Sequence, residues 1–131
     1  MRITAFYAAL FGLLFVVLSV RTLRLRRRLQ IAVGDAGNQE MLRAVRAHAN
    51  FAEYVPLSLL LIYFTEVQGA QIVFLHIAGA CLLLGRLSHA YGVSQLAENF
   101  RFRVFGMAMT LTTIIVASLY LVLAYVRTGS T

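Results

Sequence analysis

The stretch RAHANFAEYVP, residues 46–56, decides the fold. It leads into an apolar run, residues 54–64, yet it carries Arg46, His48, Asn50 and Glu53. On a helix, at about 100° per residue, Arg46, Asn50 and Glu53 fall within an arc of about 60°. One face thus stacks a cation, an amide and a carboxylate over two turns, at or inside the edge of a hydrocarbon layer. A charge at the bilayer centre costs about 2.5–3.5 kcal/mol on insertion scales, so such groups face a bundle interior or a cavity. Two readings of this face stand side by side: a polar network that fixes helix packing, and a binding site.

Working outward, the composition fits a membrane setting. The chain has 131 residues, 60% hydrophobic and only 13% charged, with a mean hydropathy of +0.79. A soluble domain carries about 25% charged residues. The length suits one domain, residues 1–131, with no room for a second core. The net charge is +7, and all twelve basic residues are arginine. That balance could serve nucleic acid, but the arginines cluster at the ends of apolar segments, which is a membrane-topology pattern and argues against a nucleic-acid partner. A single cysteine, Cys81, excludes an internal disulfide framework and a multi-cysteine metal site. Among apolar neighbours it reads as a small packing residue. No paired metal-ligand spacing, glycine-rich phosphate loop or Ser-His-Asp set is present, and no metal is expected.

The expected fold is all-α, an integral membrane four-helix bundle with helices at about 3–28, 39–64, 71–91 and 103–126. Residues 3–20 hold only Thr4, Tyr7 and Ser19 as polar groups and are long enough to span. Arg21, Arg24, Arg26, Arg27 and Arg28 then follow as a stop-transfer flank, without a cleavage signature, so helix 1 is read as uncleaved. Their long side chains can snorkel among lipid phosphates, or Arg21 or Arg24 can turn inward to bind an anion. Gly34-Asp35-Ala36-Gly37 is a turn by composition, and Asn38 is a suitable N-cap with Glu40 in the first turn. Pro56 interrupts helix 2, where its bend is expected to open space beside Asn50 and Glu53.

Residues 65–71 read as a short loop containing Glu66 and Gly69. In helix 3, His76 reads as a polar interhelical contact. The small residues Ala78-Gly79-Ala80-Cys81 permit close helix approach, and Arg86 and His89 share a face at i, i+3. Residues 92–103 read as a polar connection ending in Arg101 and Arg103. Helix 4 follows, with Thr110, Thr112, Thr113 and Ser118 able to bond back to their own helix, and residues 127–131 as a frayed tail.

Counting arginines in short loops, the 1–2 connection and its flanks hold Arg21, Arg24, Arg26, Arg27, Arg28, Arg43 and Arg46. The 3–4 side adds Arg86, Arg101 and Arg103, and the opposite face has only Arg2 and Arg127. Both termini are therefore expected away from the cytoplasm, and the polar face of helix 2 at the cytoplasmic end. That convergence suits a small polyanion bearing an ammonium group, with arginines for its carboxylates and Glu53 for the ammonium.

RAHANFAEYVP, preceded by GDAGN and followed by GRLSHAYG, resembles the MAPEG family, the membrane-associated proteins of eicosanoid and glutathione metabolism, and its bacterial members most. The likeness covers nearly the whole chain, and the pattern R-x-x-x-N-x-x-E-Y-x-P is its specific part. It implies a homotrimer in a bacterial inner membrane, with glutathione as cofactor bound between subunits near the cytoplasmic face, and membrane lipids and a lipophilic small molecule as further partners. By position, the resemblance implies glutathione contacts at Arg46, His48, Asn50, Glu53 and Tyr54, and at Arg86 and His89, which resemble the R-x-x-H pattern of the prostaglandin E synthase branch. The family's catalytic arginine opens helix 4, where Arg101 and Arg103 flank the aligned Phe102, so either can take the role. The expected function is a glutathione-dependent transferase or peroxidase acting on lipophilic electrophiles. The alternatives are a non-catalytic lipid- or glutathione-binding or scaffold protein of the same fold, and a small four-helix exporter.

Overall fold

The computed structural model describes residues 3–97 and 99–128; Arg2 and the tail residues 129–131 lie outside the described residues. Four helices follow in order: α1 (Ile3–Leu29), α2 (Gln39–Val67), α3 (Ile72–Ser94) and α4 (Phe100–Thr128). Three of them, α1, α3 and α4, are long and apolar enough to cross a membrane. Helix α2 is not, because Asn50, Glu53 and Glu66 dilute its apolar half. Within a bilayer a helix satisfies its own backbone groups, which is why the chain is built from helices.

The bundle exposes large apolar side chains and buries several polar ones. Leu13, Val17, Ile72, Val104 and Leu123 are exposed, whereas Ser58, Thr65, Arg86, His89 and Thr110 are buried. Two buried hydroxyls of α4 are satisfied within their own helix: Thr110 Oγ1 donates to the Gly106 carbonyl at 2.8 Å and Thr113 Oγ1 to that of Met109 at 2.9 Å. The 34–37 turn forms with Gly34 and Gly37 at positive φ, and Asn38 caps α2 by accepting from Met41 N at 3.0 Å.

The structure moves several expected boundaries. Glu66 lies in the last turn of α2 rather than in a loop, and its carboxylate accepts from Ile3 N at 2.5 Å and Thr4 N at 3.0 Å. A carboxylate is unfavourable at the C-terminal end of its own helix, but here it caps the N-terminal end of α1, where a negative charge is favoured. Glu66→Ala is expected to lower stability by about 1 kcal/mol, a typical loss for a helix cap, read as a reduced thermal midpoint in detergent.

The 3–4 connection is also shorter than expected, because α3 continues to Ser94 and α4 begins at Phe100, which puts Arg101 and Arg103 in the first turn of α4. Gly92 is not a breaker: a Cβ there would stand 3.0 Å from Phe102 Cβ and from Arg103 N. Gly79 packs on the Tyr7 ring, whose hydroxyl donates to the His76 carbonyl at 3.1 Å. A close α3–α4 approach lies at Gly85 and Gly106, where a Cβ on Gly106 would come within 2.5 Å of the Gly85 carbonyl oxygen and 2.7 Å of His89 Cβ. Space does lie beside Asn50 and Glu53; Pro56 itself lines a different, apolar groove toward α1 with Phe11 and Phe51.

Candidate functional site

Helix α2 turns Met41, Ala44, Ala47, Phe51 and Val55 into the bundle. One flank of it carries Arg43, Arg46, Asn50 and Glu53, and that flank faces His89 and Val93 of α3 and Arg103 of α4 across a cavity of about 470 Å³. The close crossing at Gly85 and Gly106 sets the first turn of α4 against the end of α3 and so brings Arg103 to this rim. Three cationic side chains and one imidazole thus surround one carboxylate. Arg46 and Glu53 are exposed at the cavity, and neither side chain makes a hydrogen bond or ion pair among the described residues. The internal Arg46–Glu53 network that the spacing allowed is not formed. Arg43 donates to the Val93 carbonyl at 3.2 Å, which ties α2 to the end of α3.

Beneath the cavity floor lies Arg86, only 1% exposed. It donates to Asn50 Oδ1 at 2.8 Å, and its guanidinium carbon sits 5.5 Å from the centre of the Tyr54 ring. Its other terminal nitrogen meets Met107 Sδ at 3.4 Å, and its Nε has no partner. Because Arg86 takes the amide oxygen, the Asn50 NH₂ is left as the group available to the cavity. Arg86 and Tyr54 therefore stand behind the wall and do not line it. They lie deeper than His89 because the i, i+3 step that puts Arg86 on the same face also places it one turn further into the span.

Other expected contacts point elsewhere. His48 turns toward α1, where its Nε2 is 3.0 Å from Ser19 Oγ and its ring lies against Phe15 at 4.8 Å. Two residues on from Arg46, it is rotated about 160° from the cavity face. Arg101 is exposed and outside the cavity, two residues out of phase with Arg103. Arg21 donates to the Ser94 hydroxyl, and with Arg24 it lines a separate groove along α1. The cavity also draws in Arg43 and Gln39, which the sequence reading did not single out for the site. Arg43 stands one turn before Arg46, and that i, i+3 spacing was the available signal.

With this geometry in view, comparison with known proteins identifies the class. The MAPEG family matches residues 4–124, and the chain belongs to that family. It is 41% identical over 108 residues to the inner membrane protein YecN of Escherichia coli (strain K12), spanning 82% of this chain and 81% of that protein. The YecN of Escherichia coli O6:H1 is similar to the same extent. The protein is an integral inner-membrane protein with an all-α, four-helix fold.

Proposed function

We propose that the protein is a glutathione-dependent membrane enzyme, a transferase or peroxidase acting on lipophilic electrophiles dissolved in the bilayer. One observation carries this reading: Arg43, Arg46, Arg103 and His89 share a single cavity with the lone carboxylate Glu53 and the amide of Asn50. Glutathione carries two carboxylates, one ammonium and two peptide groups, and the donor set matches that count. Arginines suit the carboxylates, Glu53 the ammonium, and the Asn50 NH₂ a carbonyl. The volume of about 470 Å³ lies within the roughly 300–1,000 Å³ of small-molecule sites.

When bound, the tripeptide supplies a nucleophilic thiol. A free thiol has a pKa near 8.5 and is mostly protonated at neutral pH. A cation beside the sulfur favours the thiolate, and Arg103 at the rim is the side chain placed to provide it. Arg43 and Arg46 hold the anionic ends, and Glu53 orients the ammonium. No general base from the protein is required. Following the family pattern, we place the exposed edge at Arg46 and Glu53 against a second copy in a homotrimer, with the arginine-rich end cytoplasmic and both termini on the other side.

The test is conjugation of glutathione to a chlorodinitrobenzene-type electrophile by protein purified in detergent. Activity is expected in the wild type, with a loss of at least about 100-fold in Arg103→Ala, the scale of removing one preorganised charge-stabilising group. Arg101→Ala, outside the cavity, is expected to retain activity. Thermal stabilisation by glutathione with no turnover would instead support the second reading, a binding protein of the same fold. That reading draws on the cavity receiving a single α4 arginine, Arg103, among the described residues. No glutathione dependence of either kind would end both.

A further inference from the structure

The last turns of α3 face two ways. His89 lines the cavity, whereas Ser88, Tyr91 and Gly92, at i, i+3 and i+4, turn together onto the first turn of α4. All three meet Phe102 there. The Ser88 hydroxyl donates to the Phe102 carbonyl at 2.9 Å, and the Tyr91 ring meets the Phe102 ring edge-on with centroids 5.2 Å apart. A Cβ on Gly92 would stand 3.0 Å from the Phe102 Cβ. At the head of the same turn, Asn99 Oδ1 accepts from Arg101 N at 3.1 Å.

The Ser88 bond differs from those of other helix hydroxyls. Ser58, Ser94, Thr110 and Thr113 donate to carbonyls of their own helix. Ser88 instead reaches a carbonyl of another helix, which has a second lone pair to offer beyond the helix ladder. Its placement bears on which arginine enters the site. Arg101 and Arg103 stand about 100° to either side of Phe102. With Phe102 turned onto α3, one of the two can face the cavity, and it is Arg103. Rotating α4 by one residue's step would carry Arg103 away from the rim.

We propose that these contacts clamp the rotation of α4, with Ser88 the positioning residue that holds Arg103 toward the thiol of the bound ligand. The clamp deepens the glutathione reading above and rests on it. Ser88 touches neither thiol nor electrophile and acts only through Arg103. All of the contacts lie within one chain, so they hold whichever copy supplies the rest of the site. Misplacing a reacting or stabilising group by about 1 Å can cost on the order of 100-fold in rate.

The pH–rate profile of glutathione conjugation, measured on the purified protein in detergent, tests this. In Ser88→Ala, kcat at neutral pH is expected to fall about tenfold, while KM for glutathione stays close to wild type because the α2 anchors are untouched. The pKa of the bound thiol, read also from the ultraviolet absorbance of the thiolate, should rise toward the free value near 8.5. The rate deficit should therefore narrow as the pH is raised past that value. Ser88→Thr, which restores the donor, should recover most of the activity. In an Arg103→Ala background, Ser88→Ala should cost almost nothing more, because the two residues act as one unit. An unchanged profile in Ser88→Ala, or an equal loss in the Arg103→Ala background, would overturn the clamp and leave the glutathione reading standing. A wild type with no glutathione dependence would end that reading, and the clamp with it.

Discussion

Arg86→Met is expected to raise the thermal midpoint of the purified protein by roughly 3 °C while weakening glutathione binding at least about tenfold, opposite signs that a purely architectural residue would not produce. Arg86 is 1% exposed, pairs with no carboxylate among the described residues, and leaves its Nε without a partner. A buried ion with incomplete compensation is costly, and replacing such groups by apolar side chains of similar volume is often neutral or stabilising by about 1–4 kcal/mol. That net figure already includes the lost contacts, here one hydrogen bond to Asn50 and one cation–π contact with Tyr54, about 1 kcal/mol each. Methionine is unbranched and can fill the slot beside Met107.

The cost to function comes through Asn50. Without Arg86 holding Oδ1, the amide can turn its oxygen into the cavity and present an acceptor to an anionic ligand. Two further measurements make the expectation specific. In an Asn50→Ala background, Arg86→Met should cost almost no additional affinity, because the two residues act as one unit. Arg86→Lys, which keeps a cation near Asn50, should retain more binding than Arg86→Met. A lowered midpoint with unchanged binding would reduce Arg86 to a packing element.

Gly106→Leu is expected to destabilise the bundle by about 3 kcal/mol and to abolish glutathione binding at the same time. Even a Cβ at this position would lie 2.5 Å from the Gly85 carbonyl oxygen and 2.7 Å from the backbone nitrogen of His89. Neither can retreat as a flexible side chain would, so α4 must move as a body. Its first turn carries Arg103 to the cavity, and His89 lines the same cavity from α3. The substitution therefore separates two of the side chains that define the site. Gly12→Leu is a suitable contrast, because nothing lies within 4 Å of a Cβ there; it should leave both the thermal midpoint and binding close to wild type. Equal behaviour of the two variants would refute the close crossing at Gly85 and Gly106.

Much of this architecture was legible in the residues. The apolar runs located all four helices, and the 34–37 turn with its Asn38 cap formed as its composition required. Helical phase put Arg46, Asn50 and Glu53 on one face, and the structure keeps them together at a cavity. His76 does meet another helix, through Tyr7. The misses have a common origin. Gly92 and Gly79 look alike in sequence to a breaker or a generic small-residue contact, because a missing Cβ is equally compatible with a turn and with close packing. Glu66 looked like a loop charge, because its partner, the start of α1, is more than sixty residues away. His48 and Arg101 sit among the right neighbours in sequence but two residues out of phase with the cavity.

The sequence by itself determined the class of protein: four helices, a membrane setting, and a polar face on the second helix that no lipid-facing surface would tolerate. These are one-dimensional properties, set by apolar length and by the 3.6-residue period. Only the tertiary structure decided which side chains of that polar set share a cavity, which stand behind its wall and which face away. That depends on the rotation and closeness of helices packed against one another. The decisive contacts, Gly85 with Gly106 and Arg86 with Asn50, join residues 21 and 36 positions apart.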